Sequence, residues 1–348
     1  MRAPDTLLKH YWSSPARAMV AHGPLRPGAL GRNRGGTTAV AVDAPAPATV
    51  MRDELGALPE SARLAGSGQL SVYALHAAQA PAVVQEVGRL RELTFRDVGE
   101  GSGGQRDLDW FDSYYTHLVV WDGHAGCVVG AYRLGFTDRL PGWDRASALY
   151  SNTLFRLSES FLAEVEPAIE LGRSFVRREY QRSYAPLALL WKAIGAIIGD
   201  APQYRYLFGP VTISGRYDAA SRAMMVRFLA KPGRASSLMP LVQPRHPFRP
   251  GASARALARL ADRADSVEAL SRLIAAGEKD GAGVPILLRQ YLKLGARSVA
   301  FSVDASFGRC LDALCLVDLL ATDPRTLRRY MGADAASSYL AAHHRRSA

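Results

Sequence analysis

Glu170-Leu171-Gly172-Arg173-Ser174-Phe175-Val176-Arg177-Arg178-Glu179-Tyr180-Gln181-Arg182-Ser183-Tyr184-Ala185-Pro186 continues an apolar run that opens at Ala168 and Ile169, and it gives way to an apolar helix over Leu187 to Ile198. A strand, a polar loop and a helix in that order leave the first helical amides unpaired and pointing outward, a ready site for an anion or a thioester. The loop holds no glycine from Ser174 through Pro186. Backbone that wraps a pyrophosphate needs a glycine-rich turn, so this loop suits a smaller group such as phosphopantetheine. The same stretch sets a carboxylate, Glu170, in an apolar strand, where an unpaired charge is costly. Glu170 is therefore either half of a structural ion pair, with Arg173 or Arg133, or a general base with a tuned pKa. Residues three apart on a regular strand face opposite sides, so Glu170 and Arg173 share a site only across a bulge. Gly172 is the place for it, and such a bulge predicts a strand that splays from its neighbour and opens a V-shaped slot.

Outward from this stretch, strands and helices alternate. A strand is predicted over Gln69 to Leu75, and Pro81 opens a helix through Val83, Val84, Val87, Leu90 and Leu93. After the glycine-rich loop from Gly99 to Gly104, His117 to Trp121 and Cys127 to Leu134 read as a hairpin. Downstream come a strand over Tyr206 to Ile213 and a helix over Asp218 to Ala230. Between 231 and 283 Pro240, Pro244, Pro247 and Pro250 and two short helices, near Ser253 to Asp262 and Ser266 to Gly277, suggest an insertion. A helix (Pro285 to Leu294), a strand (Ser298 to Val303), a short helix from Ser306 and a last strand (Leu314 to Leu319) follow. The pattern predicts an α/β (α+β) domain over 51–348, preceded by a mobile basic tail over 1–50 rich in Ala, Pro, Gly and Arg.

The formal charge of +11 favours acidic partners. Cys127, Cys310 and Cys315 form no pair with metal or redox spacing, and the histidines show no ligand pattern, so no metal is expected. No run reaches the length of a membrane span, since Lys192 and Gly195 break the best candidate, and no secretory leader is recognised. A cytoplasmic protein, peripheral at most on a membrane face, is the expectation. Arg255, Arg259, Arg263 and Arg272 on the short helices could meet anionic lipid. No nucleic-acid module is recognised.

Four spaced motifs carry a family resemblance: Arg91-Glu92-Leu93-Thr94-Phe95-Arg96-Asp97-Val98-Gly99-Glu100-Gly101, Asp107-Leu108-Asp109-Trp110-Phe111-Asp112, Gly130-Ala131-Tyr132-Arg133-Leu134 and Glu170 to Val176. Together they resemble the hemolysin-like GNAT family that includes the ornithine-lipid N-acyltransferases, and more distantly the acyl-homoserine-lactone synthases. The resemblance covers about residues 65 to 340. It implies a GNAT-like mixed, mostly antiparallel sheet flanked by helices, and transfer of a (3-hydroxy)fatty acyl chain from acyl carrier protein to the amine of ornithine or a related amino acid. It implies no permanently bound cofactor, the donor being the acyl-phosphopantetheine of the carrier. In the lactone-synthase pattern the functional positions fall on Arg91 and Phe95, Asp109 and Asp112, Arg133, and Glu170 and Arg173. Catalysis is then assigned to Glu170 and Arg173, and substrate binding to Arg91, Phe95, Asp109, Asp112 and Arg133. Donor binding is assigned to Phe175 and Val176 through their amides, and to Arg177, Arg178 and Arg182 as the face for an acidic carrier. Aromatic candidates for an acyl channel are Phe136, Trp143, Tyr150, Trp191 and Phe208. A signal synthase of the lactone type and a non-enzymatic membrane-acting protein remain the alternatives.

Overall fold

The computed structural model describes residues 40–142, 144–234 and 236–347. Of the expected tail, 1–39 lie outside the described residues, as does Trp143. The remainder is tied to the body ahead of the expected boundary: the Val40 and Asp43 amides donate to the Gly103 and Gln105 carbonyls, and helix α1 (Ala48–Gly56) is already under way.

Eight strands form the main sheet in the order β1-β2-β3-β4-β6-β7-β10-β9. They are β1 (Arg63–Ser67), β2 (Leu70–Leu75), β3 (Thr116–Asp122), β4 (Cys127–Phe136), β6 (Ala168–Val176), β7 (Tyr206–Ile213), β9 (Arg297–Asp304) and β10 (Cys310–Asp318). A separate pair joins β5 (Phe155–Leu157) to β8 (Val242–Pro244). Every neighbouring pair in the main sheet is antiparallel except β6 with β7. On one face of the sheet lie α2 (Pro81–Asp97), which is opened by Pro81 at its first position, together with α3 (Ser151–Leu154) and α4 (Glu159–Val165). The opposite face packs α5 (Ala185–Asp200), α6 (Ala219–Leu229), α7 (Ala252–Ala258), α8 (Val267–Gly277), α9 (Ile286–Lys293), α10 (Pro324–Met331) and α11 (Ala333–Ser347). The segment read as an insertion contributes Ala254, Ala258, Ala261, Leu270 and Ile274 to that core, while Arg255, Arg259, Arg263 and Arg272 stay exposed.

Two departures from regular pairing shape the centre of the sheet. Ala131 pairs with Phe175 but Arg133 pairs with Gly172, so β6 carries one extra residue. That residue is Arg173, with φ 52, one position beyond the glycine expected to bulge. A side chain in this left-handed region is strained and needs outside support. The bulge turns Arg173 to the side of the sheet that Glu170 faces, as the spacing argument required.

The second departure is a fork. The parallel β6–β7 ladder holds only from Ala168 with Tyr206 to Glu170 with Phe208. Beyond it β6 stays with β4 as far as Val176, and β7 stays with β10 as far as Ile213. Gly209 sits at the fork, where a Cβ would overlap the Leu171 carbonyl oxygen. Backbone rather than a flexible side chain is in the way, so Gly209→Ala must push the strands apart. Loss of about 1–3 kcal/mol of stability in urea unfolding is expected.

Two sequence expectations need correcting near the end of the chain. No helix starts at Ser306; residues 305–309 form a tight turn, with Gly308 and Arg309 both at positive φ. The last strand begins at Cys310, ahead of the expected Leu314, which brings Leu311 and Asp312 into the sheet.

Candidate active site

Alternation along each strand puts His117, Arg133, Glu170, Thr212 and Asp312 on one face, because Leu118, Leu134, Leu171, Ile213, Leu311 and Ala313 fill the opposite core. A polar stripe thus crosses the sheet from β3 to β10. Over its first half lies the 3-10 turn Trp110–Ser113, where Asp109 accepts from the Phe111 amide and Asp112 accepts from the Asp109 amide at 2.8 Å.

Beneath this turn lies a buried ionic cluster. Arg91 makes a two-point pair with Asp112 at 2.8 and 2.9 Å, and its Nε lies 3.2 Å from Asp107. Arg133 meets Asp109 at 2.5 Å and Asp112 at 3.1 Å. Arg173 approaches Asp107 at 3.5 Å and Asp109 at 3.6 Å. Three guanidiniums face three carboxylates, so the formal charges cancel. Burial alone would raise the Asp112 carboxyl, but Arg133 and Arg91 beside it hold it well below the ordinary range. Burial pushes His117 down to about 4, which leaves the ring neutral.

The fork between β6 and β7 opens into a cavity of about 180 Å³. Tyr132 and Leu287 reach it from the α5 face, and Phe95, Tyr150 and Phe307 line it with Arg173. It therefore pierces the sheet rather than lying on one side of it. Gly172 forms part of its wall, and a Cβ there would meet nothing within 4 Å. Arg173 is sandwiched between the Tyr150 and Phe307 rings, at 4.8 and 4.7 Å from their centroids. The acids are Glu100, Asp304 and Asp312. Burial pushes Asp312 up to about 7, with a hydrogen bond from Thr212 pulling back and Asp304 adding to the rise. Burial likewise pushes Glu100 up to about 7. The cavity thus holds one cation, already shared with aspartates, and carboxylates poised to take a proton near neutrality.

Of the residues singled out in the sequence, the structure brings Phe95 and Arg173 to the cavity. Arg91, Arg133, Asp109 and Asp112 form the sealed cluster behind Arg173, with Arg91 0% and Arg133 1% exposed. None of the four lines the cavity, and their contacts hold Arg173 from behind. Glu170 is not in the wall; its oxygens accept from the Tyr150 amide at 3.0 Å, the Ser151 amide at 2.6 Å and the Tyr115 hydroxyl. Phe175 packs with α2. Because the Arg177 amide bonds to Val129, strand alternation gives the Phe175 amide to β4 and turns those of Ser174 and Val176 toward the fork. Arg177 pairs with Glu179, while Arg178 and Arg182 stand exposed. Of the aromatic candidates, Tyr150 lines the cavity, and Phe136, Trp191 and Phe208 are packed in the core. Sequence reading missed Asp312, Asp304 and Phe307. The first sits in the unrecognised start of β10, and the last in the turn mistaken for a helix. Among the described residues no group of side chains is placed to hold a metal, and no helix is long and apolar enough to cross a membrane.

Residues 90–192 match the model of the acetyltransferase (GNAT) domain. A glycine N(alpha)-acyltransferase of Bacteroides thetaiotaomicron is 32% identical over 281 residues, which is 76% of this chain and 82% of that protein. Another protein of that name, from Phocaeicola vulgatus, is 30% identical over 71% of this chain and 78% of its own. The chain belongs to this family of GNAT acyltransferases. One solved structure, a CoA-dependent acyl-homoserine lactone synthase, BjaI, with SAM and isopentyl-CoA, aligns over 77% of this chain and 97% of its own at 14% identity and a TM-score of 0.37. The mixed, mostly antiparallel sheet with flanking helices is that of a GNAT-like acyltransferase.

Proposed function

We propose that this acyltransferase moves a fatty acyl chain from a phosphopantetheine thioester to the amine of a small amino acid, glycine or one near it in size. The observation that carries the proposal is a cavity through the sheet with Arg173 and Asp312 both in its wall. A small amino acid offers a carboxylate for the Arg173 fork and an amine for Asp312. The naming of the two relatives for glycine, and the modest volume, support a small acceptor over ornithine. The glycine-free loop after β6 supports a carrier-borne donor, with exposed Arg178 and Arg182 as the face for an acidic carrier protein.

In the reaction the amine nitrogen attacks the thioester carbonyl carbon and Asp312 accepts the amine proton. The carbon–sulfur bond then breaks, and the departing sulfur takes up the proton that Asp312 accepted, leaving as the thiol and restoring the carboxylate. The products are an N-acyl amino acid and free pantetheine thiol. The Ser174 and Val176 amides, directed into the fork, are the donors for the developing oxyanion. Burial pushes the Cys310 thiol up, which keeps it protonated and suits direct transfer without a cysteinyl intermediate.

The test is incubation of purified protein with acyl carrier protein or acyl-CoA donors and a panel of amino acids that includes glycine, serine and ornithine, with products identified by mass. N-acylation of glycine or serine from the carrier donor is expected. Formation of no N-acyl amino acid from either donor overturns the proposal. Arg173→Lys keeps the charge but loses the fork and the stacking between two rings. The acceptor KM is expected to rise about 10–30-fold while the donor KM stays the same.

A further inference from the structure

Glu170 is 1% exposed, and its two carboxylate oxygens accept from three donors of the neighbouring layer, two on Oε2 and one on Oε1. Two of those donors are consecutive backbone amides, Tyr150 and Ser151, at the start of α3. The third, the Tyr115 hydroxyl, reaches Glu170 across Gly135, where a Cβ would stand 2.5 Å from the ring. Gly135 is the register partner of Glu170, so the sheet has left room for this contact. Burial and the Glu170 charge push the Tyr115 hydroxyl well up, which keeps its proton in place as a donor. The amide that Glu170 holds belongs to Tyr150, and the Tyr150 ring is one half of the sandwich around Arg173.

We propose that Glu170 is a positioning residue: it fixes Tyr150, and through the Tyr150 ring the strained Arg173 guanidinium, in the geometry that receives the acceptor carboxylate. The proposal rests on the function given above. It explains why a carboxylate is required. A glutamine oxygen can satisfy either the Tyr150 amide with the Tyr115 hydroxyl, or the Ser151 amide. In either orientation its NH2 group faces a backbone N–H that it cannot accept from. The base role falls instead to Asp312, which touches the cavity where Glu170 does not.

Glu170→Gln and Tyr150→Leu test this together, through acceptor KM, kcat, the pH profile and hydrogen exchange over residues 144–154. Glu170→Gln is expected to raise the acceptor KM about tenfold with kcat within about threefold, to keep the wild-type pH profile, and to speed exchange at the Tyr150 and Ser151 amides. Tyr150→Leu, which keeps those amide bonds, is expected to raise the acceptor KM alike without faster exchange. A general loss of folded protein would lower kcat and leave KM alone. The proposal is overturned if Glu170→Gln lowers kcat more than about 100-fold at unchanged acceptor KM and abolishes the pH dependence, for then Glu170 is the base. It is overturned equally if KM and exchange both stay at wild-type values. Should wild-type protein acylate no amine, the proposed function fails, and the exchange measurement still decides whether Glu170 holds Tyr150. If Glu170→Gln does not fold, Tyr115→Phe, which removes one of the three donors, is read by the same measurements.

Discussion

Asp312→Asn is expected to lower turnover by about 10²–10⁴ at pH 8, the usual worth of a general base. Asparagine has nearly the same shape and still accepts from Thr212, which lies 2.8 Å from Asp312, so the loss reports the missing basicity rather than a rebuilt wall. In wild-type enzyme the rate should climb with pH and level off above about 7, where burial has placed the Asp312 pKa. The variant should lose that limb. Glu100, also pushed up to about 7, lies in the same wall, and Glu100→Gln should keep the limb if Asp312 is the base. Stability gives an independent sign. A carboxyl whose pKa is raised from 3.8 in the unfolded chain to about 7 in the folded one binds its proton more tightly when folded. Its contribution therefore turns unfavourable as pH rises from about 4 through about 7. Asp312→Asn removes that penalty, so the variant should melt above wild type at pH 8 and level with it at pH 4. An inactive variant that is more stable than its parent is the signature of a charge kept for chemistry.

Arg91→Met is expected to cost about 3–5 kcal/mol in urea unfolding, because it strips the buried Asp112 of its two-point pair and Asp107 of its nearest guanidinium. The ionic cluster is sealed, with Arg91 0% exposed, so water cannot take over. Adding Asp112→Asn to Arg91→Met removes one of the two carboxylates left short of a cation and should recover part of the loss, the coupling expected of residues in contact within one network. The pH sign is opposite to that of Asp312. Arg133 and Arg91 hold Asp112 below its ordinary 3.8, so its contribution is present above about pH 4 and is lost on acidification.

The two predictions separate roles that the sequence places side by side. Strand alternation and the turn signals made most of the sheet legible: Tyr206 to Ile213 was read with its observed bounds. The spacing of Glu170 and Arg173 foretold a bulge and a forked sheet, because only those reconcile two charges with one face. Burial and partnership were not legible. An arginine that lines a cavity and one that is sealed behind it look identical in a string of letters, so Arg91 and Arg133 were read as binding substrate. Glu170 was read as a base because an acid in an apolar strand signals burial without revealing what bonds to it. Asp312 went unrecognised for the converse reason: it falls between the short helix expected from Ser306 and the strand expected from Leu314, and only the pairing of β7 beside it brings it into the sheet.

A structure of the protein with an N-acylglycine product bound would test the central claim most directly. The product carboxylate is expected on the Arg173 guanidinium, its amide nitrogen beside Asp312 and its acyl chain in the fork between β6 and β7. A product bound elsewhere, with Arg173 and Asp312 untouched, would contradict it.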